Sequence, residues 1–256
     1  MAKLKFTISA ATISKDTRCN QDNLVVDKFL INVRNSEYVS YNQIVDTRFP
    51  MVFCVSDGVG GQDGGDIASE KVVLSIYDKI DEIKAFNKQK LNECLDAVNA
   101  EVIERLEEEG CNGGATLSLL VIGEEKACFC NIGDSPIFLY RKKSLVELSE
   151  EHTLANEKGK FISSKNKNYE SNVLTKYIGN TEESGSEQAK IDQKDVRNGD
   201  IYVICSDGIT KGLTVRKIKN ILKNYDVTMA AHKLVECAKS HGANDDITAI
   251  VVKVED

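Results

Sequence analysis

The sequence predicts an α+β fold, and three observations carry that reading. Two runs of five apolar residues, Met51 to Val55 and Ile201 to Cys205, are long enough for strands buried on both faces. Two helical patterns follow the first run in succession instead of alternating with strands. The period then changes to that of short strands over residues 115–141, with turn residues between them. At 256 residues and 41% apolar content the chain can bury a sizeable core. No proline-rich or Gly/Ser-rich linker divides it, so one domain spanning residues 1–256 is expected.

Taken in order, Leu4, Phe6 and Ile8 alternate with polar residues and predict a half-buried first strand. A polar segment leads to a short strand at Leu24 to Val26, and Tyr38 to Val45 offers another. The Met51 to Val55 strand ends at Ser56-Asp57-Gly58, inside a loop with Gly60, Gly61, Gly64 and Gly65. A helix is expected from about Ile67 to Ile80, with Asp66 as its cap. A second covers Lys90 to Glu109, since Leu91, Leu95, Val98, Val102 and Leu106 share one face and Gly110 stops it. Strands follow at Ala115 to Ile122, Ala127 to Ile132 and Ile137 to Arg141. Residues 150–172 are polar and weakly patterned, a long surface excursion of the kind that borders sites. The Ile201 to Cys205 strand ends in Ser206-Asp207-Gly208, a helix occupies Val227 to Ser240, and Ile247 to Val254 forms the last strand.

Composition excludes several functions. A net charge of -7 argues against nucleic acid. No apolar run approaches the ~20 residues of a membrane span, and the N-terminus lacks a signal-peptide pattern, so a cytoplasmic protein is expected. The eight cysteines form no CxxC pair and mostly fall in strand or helix patterns, as small core residues of a reducing compartment do. His152, His232 and His241 fit no nucleophile triad and read as structural or solvated.

By itself Asp57-Gly58 reads either as a hairpin turn or as an acid presented in a loop open to close approach. The loop lacks the Gly-Lys-Ser/Thr of a phosphate cradle and the alternating acids of an EF-hand. Its near-repeat about 150 residues later, VICSDGIT after FCVSDGVG, favours the second reading. Asp22, Asp57, Asp207, Asp245 and Asp246 all lie where a strand begins or ends, and Asp134 lies in a tight turn. If these ends converge, the carboxylates raise one another's pKa values unless cations neutralise them. A donor set of oxygen alone points to Mg²⁺ or Mn²⁺, and two such ions suit the attack of an activated water on a phosphoester.

The segments CNQDN, VFCVSDGVGGQDGGDIAS, GGATLSLLVI, CNIGDSPIFLYR, ELSEEHT, NVLTKYIG, VICSDGITKGLT and GANDDITAIVV resemble, in order, the metal-dependent, type 2C serine/threonine protein phosphatases, in a bacterial-like variant. The resemblance spans nearly the whole chain. It implies a four-layer αββα sandwich, two antiparallel sheets flanked by helices, with a two-metal site at one end. It further implies Asp57 and the Gly58 carbonyl as metal ligands, Asp57 bridging, with Asp207 and Asp245 on the other ion. Asp22 would be an acid beside the site, Asp134 a ligand of a third ion, and residues 150–172 a flap. Phosphoserine and phosphothreonine proteins would be the substrates, a Ser/Thr kinase a partner, and the protein a monomer.

Three departures are informative. Val59 stands where many animal members carry a proton-donating histidine. Thr17 stands at the usual place of the phosphate-binding arginine, with Arg18 one residue late as the candidate replacement, and Pro136 replaces an arginine. These departures motivate an alternative from another class, a pseudophosphatase scaffold that binds phosphoproteins or a kinase without catalysis.

Overall fold

The first strand pattern continues further than its alternation suggests. In the computed structural model, β1 (Leu4–Ile13) is buried along most of its length. Leu4, Phe6, Ile8 and Ala10 enter a core between two sheets, while Ser9 and Ala11 face a helix on the other side. A strand covered on both faces shows no clean polar alternation. The structure describes residues 4–15, 19–31, 38–59, 64–85, 87–158 and 173–255.

One antiparallel sheet has the order β10 (Ser144–Glu147), β9 (Ile137–Arg141), β12 (Ile201–Cys205), β13 (Ile247–Glu255), β1, β4 (Tyr38–Thr47). The other runs β11 (Lys190–Asp195), β8 (Lys126–Ile132), β7 (Leu117–Ile122), β5 (Met51–Val59), β2 (Asp22–Val26), β3 (Phe29–Ile31), with β6 (Gly114–Ala115) paired to the end of β5. Phe6, Phe53, Tyr202 and Leu120 fill the space between the sheets. Helices α1 (Gly65–Asp78), α2 (Ile80–Ile83) and α3 (Lys88–Glu109) cover the outer face of the second sheet, packing Val72, Ile76, Leu95 and Val98 on Cys54 and Leu119. Short α4 (Leu154–Lys158), α5 (Gly185–Gln188) and α6 (Asp207–Gly212) lie in connections. Helices α7 (Val215–Asn224) and α8 (Val227–Ser240) cover the first sheet, with Ile218, Ala231 and Leu234 on Val203 and Val251. The layers are therefore α, β, β, α, as the resemblance implied.

Some elements depart from expectation for local reasons. The N-cap of α1 is Gly64, at φ 112°, and Asp66 falls in the first turn. A Cβ at Gly64 would meet Cys111 Cβ at 2.9 Å, so the tight entry, not a side-chain cap, sets where the helix starts. The predicted strand at 115–122 is broken at Thr116 into β6 and β7. The edge strands β10 and β11 carry too weak a pattern to be expected, and in β11 the chain places Lys, Asp, Gln, Lys and Asp around one Ile. Helix α7 was missed although its signal was present, a Thr214 cap followed by Ile218, Ile221 and Leu222 on one face. The turn before β10 uses Lys142 and Lys143 at φ 50° and 64°, where a hairpin usually has Asn or Gly. All eight cysteines are free thiols. Among the described residues no helix is long and apolar enough to cross a membrane.

One polar cluster joins α1 to α3. Glu101 accepts hydrogen bonds from Ser75 Oγ (2.6 Å) and Lys79, and pairs with Lys71 Nζ at 3.1 Å. Burial pushes this carboxyl up, but the bonds from Lys79, Ser75 and Lys71 outweigh it and bring the pKa to about 2. Because the folded value is lowered, the stabilisation is present above the unfolded pKa and is lost as pH falls through the folded one. Glu101→Gln is therefore expected to destabilise by about 1 kcal/mol at neutral pH, after allowance for solvent screening. The gap to wild type should close between about pH 4.3 and 2 in urea titrations followed by circular dichroism; a gap independent of pH would show that charge plays no part.

Candidate metal centre

Asp57 does not sit in a turn. The strand β5 continues through Asp57, Gly58 and Val59, and Asp57 lies directly opposite Asp22 in the β2–β5 register. Residues directly opposite on an antiparallel pair hold their Cβ atoms roughly 4.5–5.5 Å apart on one face, where like charges repel. The hairpin reading of Asp57-Gly58 is thus overturned. Gly58 is needed for a different reason: a Cβ there would lie 2.3 Å from Gly65 O, because the start of α1 folds back onto the strand end. Thr116, in the break between β6 and β7, holds Asp57 at the backbone. Its Oγ1 accepts from Asp57 N–H at 2.9 Å and its N–H donates to Asp57 O at 2.8 Å.

The second Ser-Asp-Gly has another geometry. Ser206 is the N-cap residue of α6, and Asp207 begins that helix. A Cβ on Gly208 would lie 2.1 Å from Asp246 O, so this glycine lets α6 pack on the start of β13. The serines of the two repeats are both buried and both cross-link. Ser56 Oγ donates to Thr116 O at 2.6 Å, and Ser206 Oγ donates to Asp22 Oδ2 at 2.7 Å. That second bond joins the two sheets at the acid-bearing end. Asp246 is a clamp: its carboxylate accepts from the backbone N–H groups of Lys15 and Gln21, each at 2.7 Å.

The site's electrostatics follow from this crowding. Burial and the neighbouring Asp246 push Asp22 up to about 8. Burial together with Asp22, Asp207 and Asp134 holds Asp57 well above the usual carboxylate range. Burial and Asp207 raise Asp134 to about 7, against the opposing effect of Lys211. Asp207 is raised by burial despite its pairing with Lys211. Asp22, Asp207, Asp134 and Asp245 thus all act on Asp57 at one end of the sandwich. Glu151 is also raised, by burial and then by Asp207, which places the start of the 150–172 excursion beside the acids.

The acids are not drawn into a coordination sphere: among the described residues no group of three or more His, Cys, Asp or Glu is arranged to hold a metal ion. Lys211, on α6, instead pairs with Asp207 and lies 2.6 Å from Asp245 Oδ2. The residues nevertheless fit a hard divalent cation. Asp22 Oδ1 and Asp207 Oδ1 are buried with no hydrogen-bond partner among the described residues, an expensive arrangement for an acid unless a cation or proton satisfies it. The donors are oxygen alone, which suits Mg²⁺ or Mn²⁺.

Residues 41–250 match the family model of protein phosphatase 2C. The chain belongs to the protein phosphatase 2C family. It is 28% identical over 214 residues to the serine/threonine phosphatase Stp of Listeria monocytogenes, covering 79% of this chain and 84% of that one. It is 27% identical over 248 residues to the protein phosphatase PhpP of Streptococcus pneumoniae, covering 91% and 97%. Among solved structures, the serine/threonine phosphatase of S. agalactiae superposes with a TM-score of 0.81 at 22% identity, covering 98% of this chain and all (100%) of that one. The catalytic domain of PstP in complex with two manganese ions superposes with a TM-score of 0.78 at 22% identity, covering 99% and 100%. These structural likenesses establish the protein phosphatase 2C fold.

Arg18, the candidate phosphate ligand, lies outside the described residues, as do Thr17 and residues 159–172 of the expected flap. His152 is buried at the base of that excursion, where its Nδ1 accepts from Gly133 N–H at 3.2 Å, a structural role as expected; burial lowers its pKa to about 4. Sequence reasoning missed Lys211, whose signal was present: a lysine four residues after Asp207 shares a helix face with it.

The packing at Gly208 makes a direct prediction. Gly208→Ala must displace α6 from the Asp246 carbonyl and should cost about 1–3 kcal/mol, seen as a fall of several degrees in Tm. An unchanged Tm would mean that the approach is not held in solution.

Proposed function

We propose that this protein hydrolyses phosphoserine and phosphothreonine in proteins with the aid of two Mn²⁺ or Mg²⁺ ions, and that Asp57, Gly58, Asp207 and Asp245 hold them. The observation that carries the reading is that two sheets and one helix start deliver buried acids to the same end, with two of their oxygens unsatisfied. Hard divalent ions, when bound, supply Lewis acidity that activates water and draws charge off phosphoryl oxygens.

The chain's own residues have definable tasks. Asp57 stands at the last paired stretch of β5, fixed by Thr116, so it meets a ligand with little reorganisation. Asp22 keeps Oδ2 on Ser206, which leaves Oδ1 as the oxygen able to accept a hydrogen bond from a water in the site. Asp134, in the turn between β8 and β9, adds an acid near Asp207 for a third ion. Val59 carries no proton to donate, so the leaving serine or threonine oxygen takes its proton from water. Arg18 is our candidate for phosphate binding, and residues 150–172 for the substrate-facing flap. Phosphoproteins opposed to a Ser/Thr kinase, a monomeric state and a cytoplasmic setting complete the reading; free thiols fit the reducing compartment. A scaffold without catalysis is disfavoured, because every acid position implied by the resemblance is filled.

The expected outcome is Mn²⁺-dependent hydrolysis of a phosphothreonine peptide. Asp57→Asn should lower kcat/KM by on the order of 10²–10³ or more, the scale of losing one electrostatic group from an active site. The same variant should leave the fold intact, since it removes a charge facing Asp22. Equal rates with and without Mn²⁺, and in Asp57→Asn, would sink the proposal.

A further inference from the structure

Lys211 stands out because its ammonium lies on carboxylates that the proposed function assigns to a metal. It is the fifth residue of α6 counted from Asp207, so one helical turn returns its side chain over that acid. Its Nζ engages Asp207 Oδ2 and, at 2.6 Å, Asp245 Oδ2. Asp245 leads into the neighbouring strand of the same sheet, one residue before the Asp246 clamp and two before β13. A single cation thus joins the two acids that share one ion in the proposed centre. Asp134 senses the same charge.

The ammonium is a partial substitute only. It reaches one oxygen of each carboxylate and leaves Asp207 Oδ1 buried without a partner among the described residues. A divalent ion brings twice the charge and takes several oxygens at once. The lysine is also free to leave: its side chain is 37% exposed, and rotation of its four-carbon stem carries Nζ to solvent without backbone movement. The same oxygens cannot hold both cations closely.

Resting on the metal-centre reading above, we propose that Lys211 is a tethered counter-ion that competes with the divalent metal for Asp207 and Asp245. It offsets part of the pair's charge when metal is scarce and swings outward when metal enters. The protein thereby sets the metal concentration at which its centre fills. A lysine serving only the C-terminal end of α6 would stabilise the helix but would leave metal affinity alone.

The test is calorimetric titration of the purified full chain with MnCl₂, for wild type, Lys211→Gln, Lys211→Met and Lys211→Arg, with Asp57→Asn as the blank. Metal-free Lys211→Gln and Lys211→Met are expected to melt at lower temperature than wild type, because two facing acids lose their counter-charge. Both should nevertheless bind Mn²⁺ about tenfold more tightly, a gain of about 1.4 kcal/mol, and show a larger rise in Tm on adding Mn²⁺. Lys211→Arg should keep the weaker binding. Should Lys211→Gln fail to fold without metal, the Met variant and the refolding midpoint against MnCl₂ give the same comparison. Unchanged or weaker Mn²⁺ binding in both Gln and Met variants overturns the role of Lys211 and leaves the phosphatase reading standing. No Mn²⁺ uptake by wild type or variants, at the level of the Asp57→Asn blank, removes the phosphatase reading and this inference with it.

Discussion

The constraint on which the structure turns is the confrontation of Asp22 and Asp57 across an antiparallel pair. Like charges in that position destabilise the pairing, and burial adds to the penalty by taking both carboxylates out of water. The register is nonetheless over-determined. Leu24 opposite Val55 and Val26 opposite Phe53 enter the core between the sheets, while Val25 opposite Cys54 enters the core under α1 and α3. A slip of one residue would exchange those two sets of side chains between cores of different composition. Packing along the strands thus forces the acids together at their end, and the cost is borne by the fold because a bound cation can remove it.

A second consequence concerns the seam between the sheets. Strands β2 and β5 belong to one sheet and β12 and β13 to the other, so the centre exists only if the sheets are fixed in relative position. Apolar contact alone is not directional. Direction comes from hydrogen bonds that cross the seam, from Ser206 Oγ to Asp22 Oδ2 and from Gln21 N–H to the Asp246 carboxylate, while Thr248 N–H on the neighbouring strand of the same sheet donates to Ser206 Oγ at 3.0 Å and holds it in place. The glycines complete the fit by letting backbone meet backbone, Gly58 against Gly65 and Gly208 against Asp246. Asp246 is therefore a scaffold acid, although in the sequence it looks equivalent to its neighbour Asp245.

This distinction marks how far the sequence could be read. The apolar runs at Met51 and Ile201, the helical faces on α3 and α8, and the repeat of Ser-Asp-Gly all report burial or chemistry through residue type, and each was legible. The split of the repeat into a strand extension and a helix start was not, because Ser-Asp-Gly suits both and the choice is made by what packs on the glycine. β11 was invisible for another reason: as an edge strand with one apolar side chain, it is held by its ladder to β8 and not by a pattern of its own. The acids could be collected from sequence only as a set of strand ends. Their assignment to opposite sides of one seam needed the register.

Lys211 shows the limit most sharply. A search for metal ligands passes over lysine, and a search for helix pairs counts Asp207–Lys211 as an ordinary surface interaction of small value. Neither view considers Asp245, which reaches the same ammonium from a distant part of the chain. With both acids engaged, the charge on Lys211 bears on the balance that Asp22 and Asp57 set up in the other sheet, because all of these groups share one poorly solvated end. A centre made of acids from two sheets must manage repulsion before any metal arrives. Among the described residues, serine hydroxyls, backbone amides and Lys211 meet these acids, and of these only the lysine brings a positive charge.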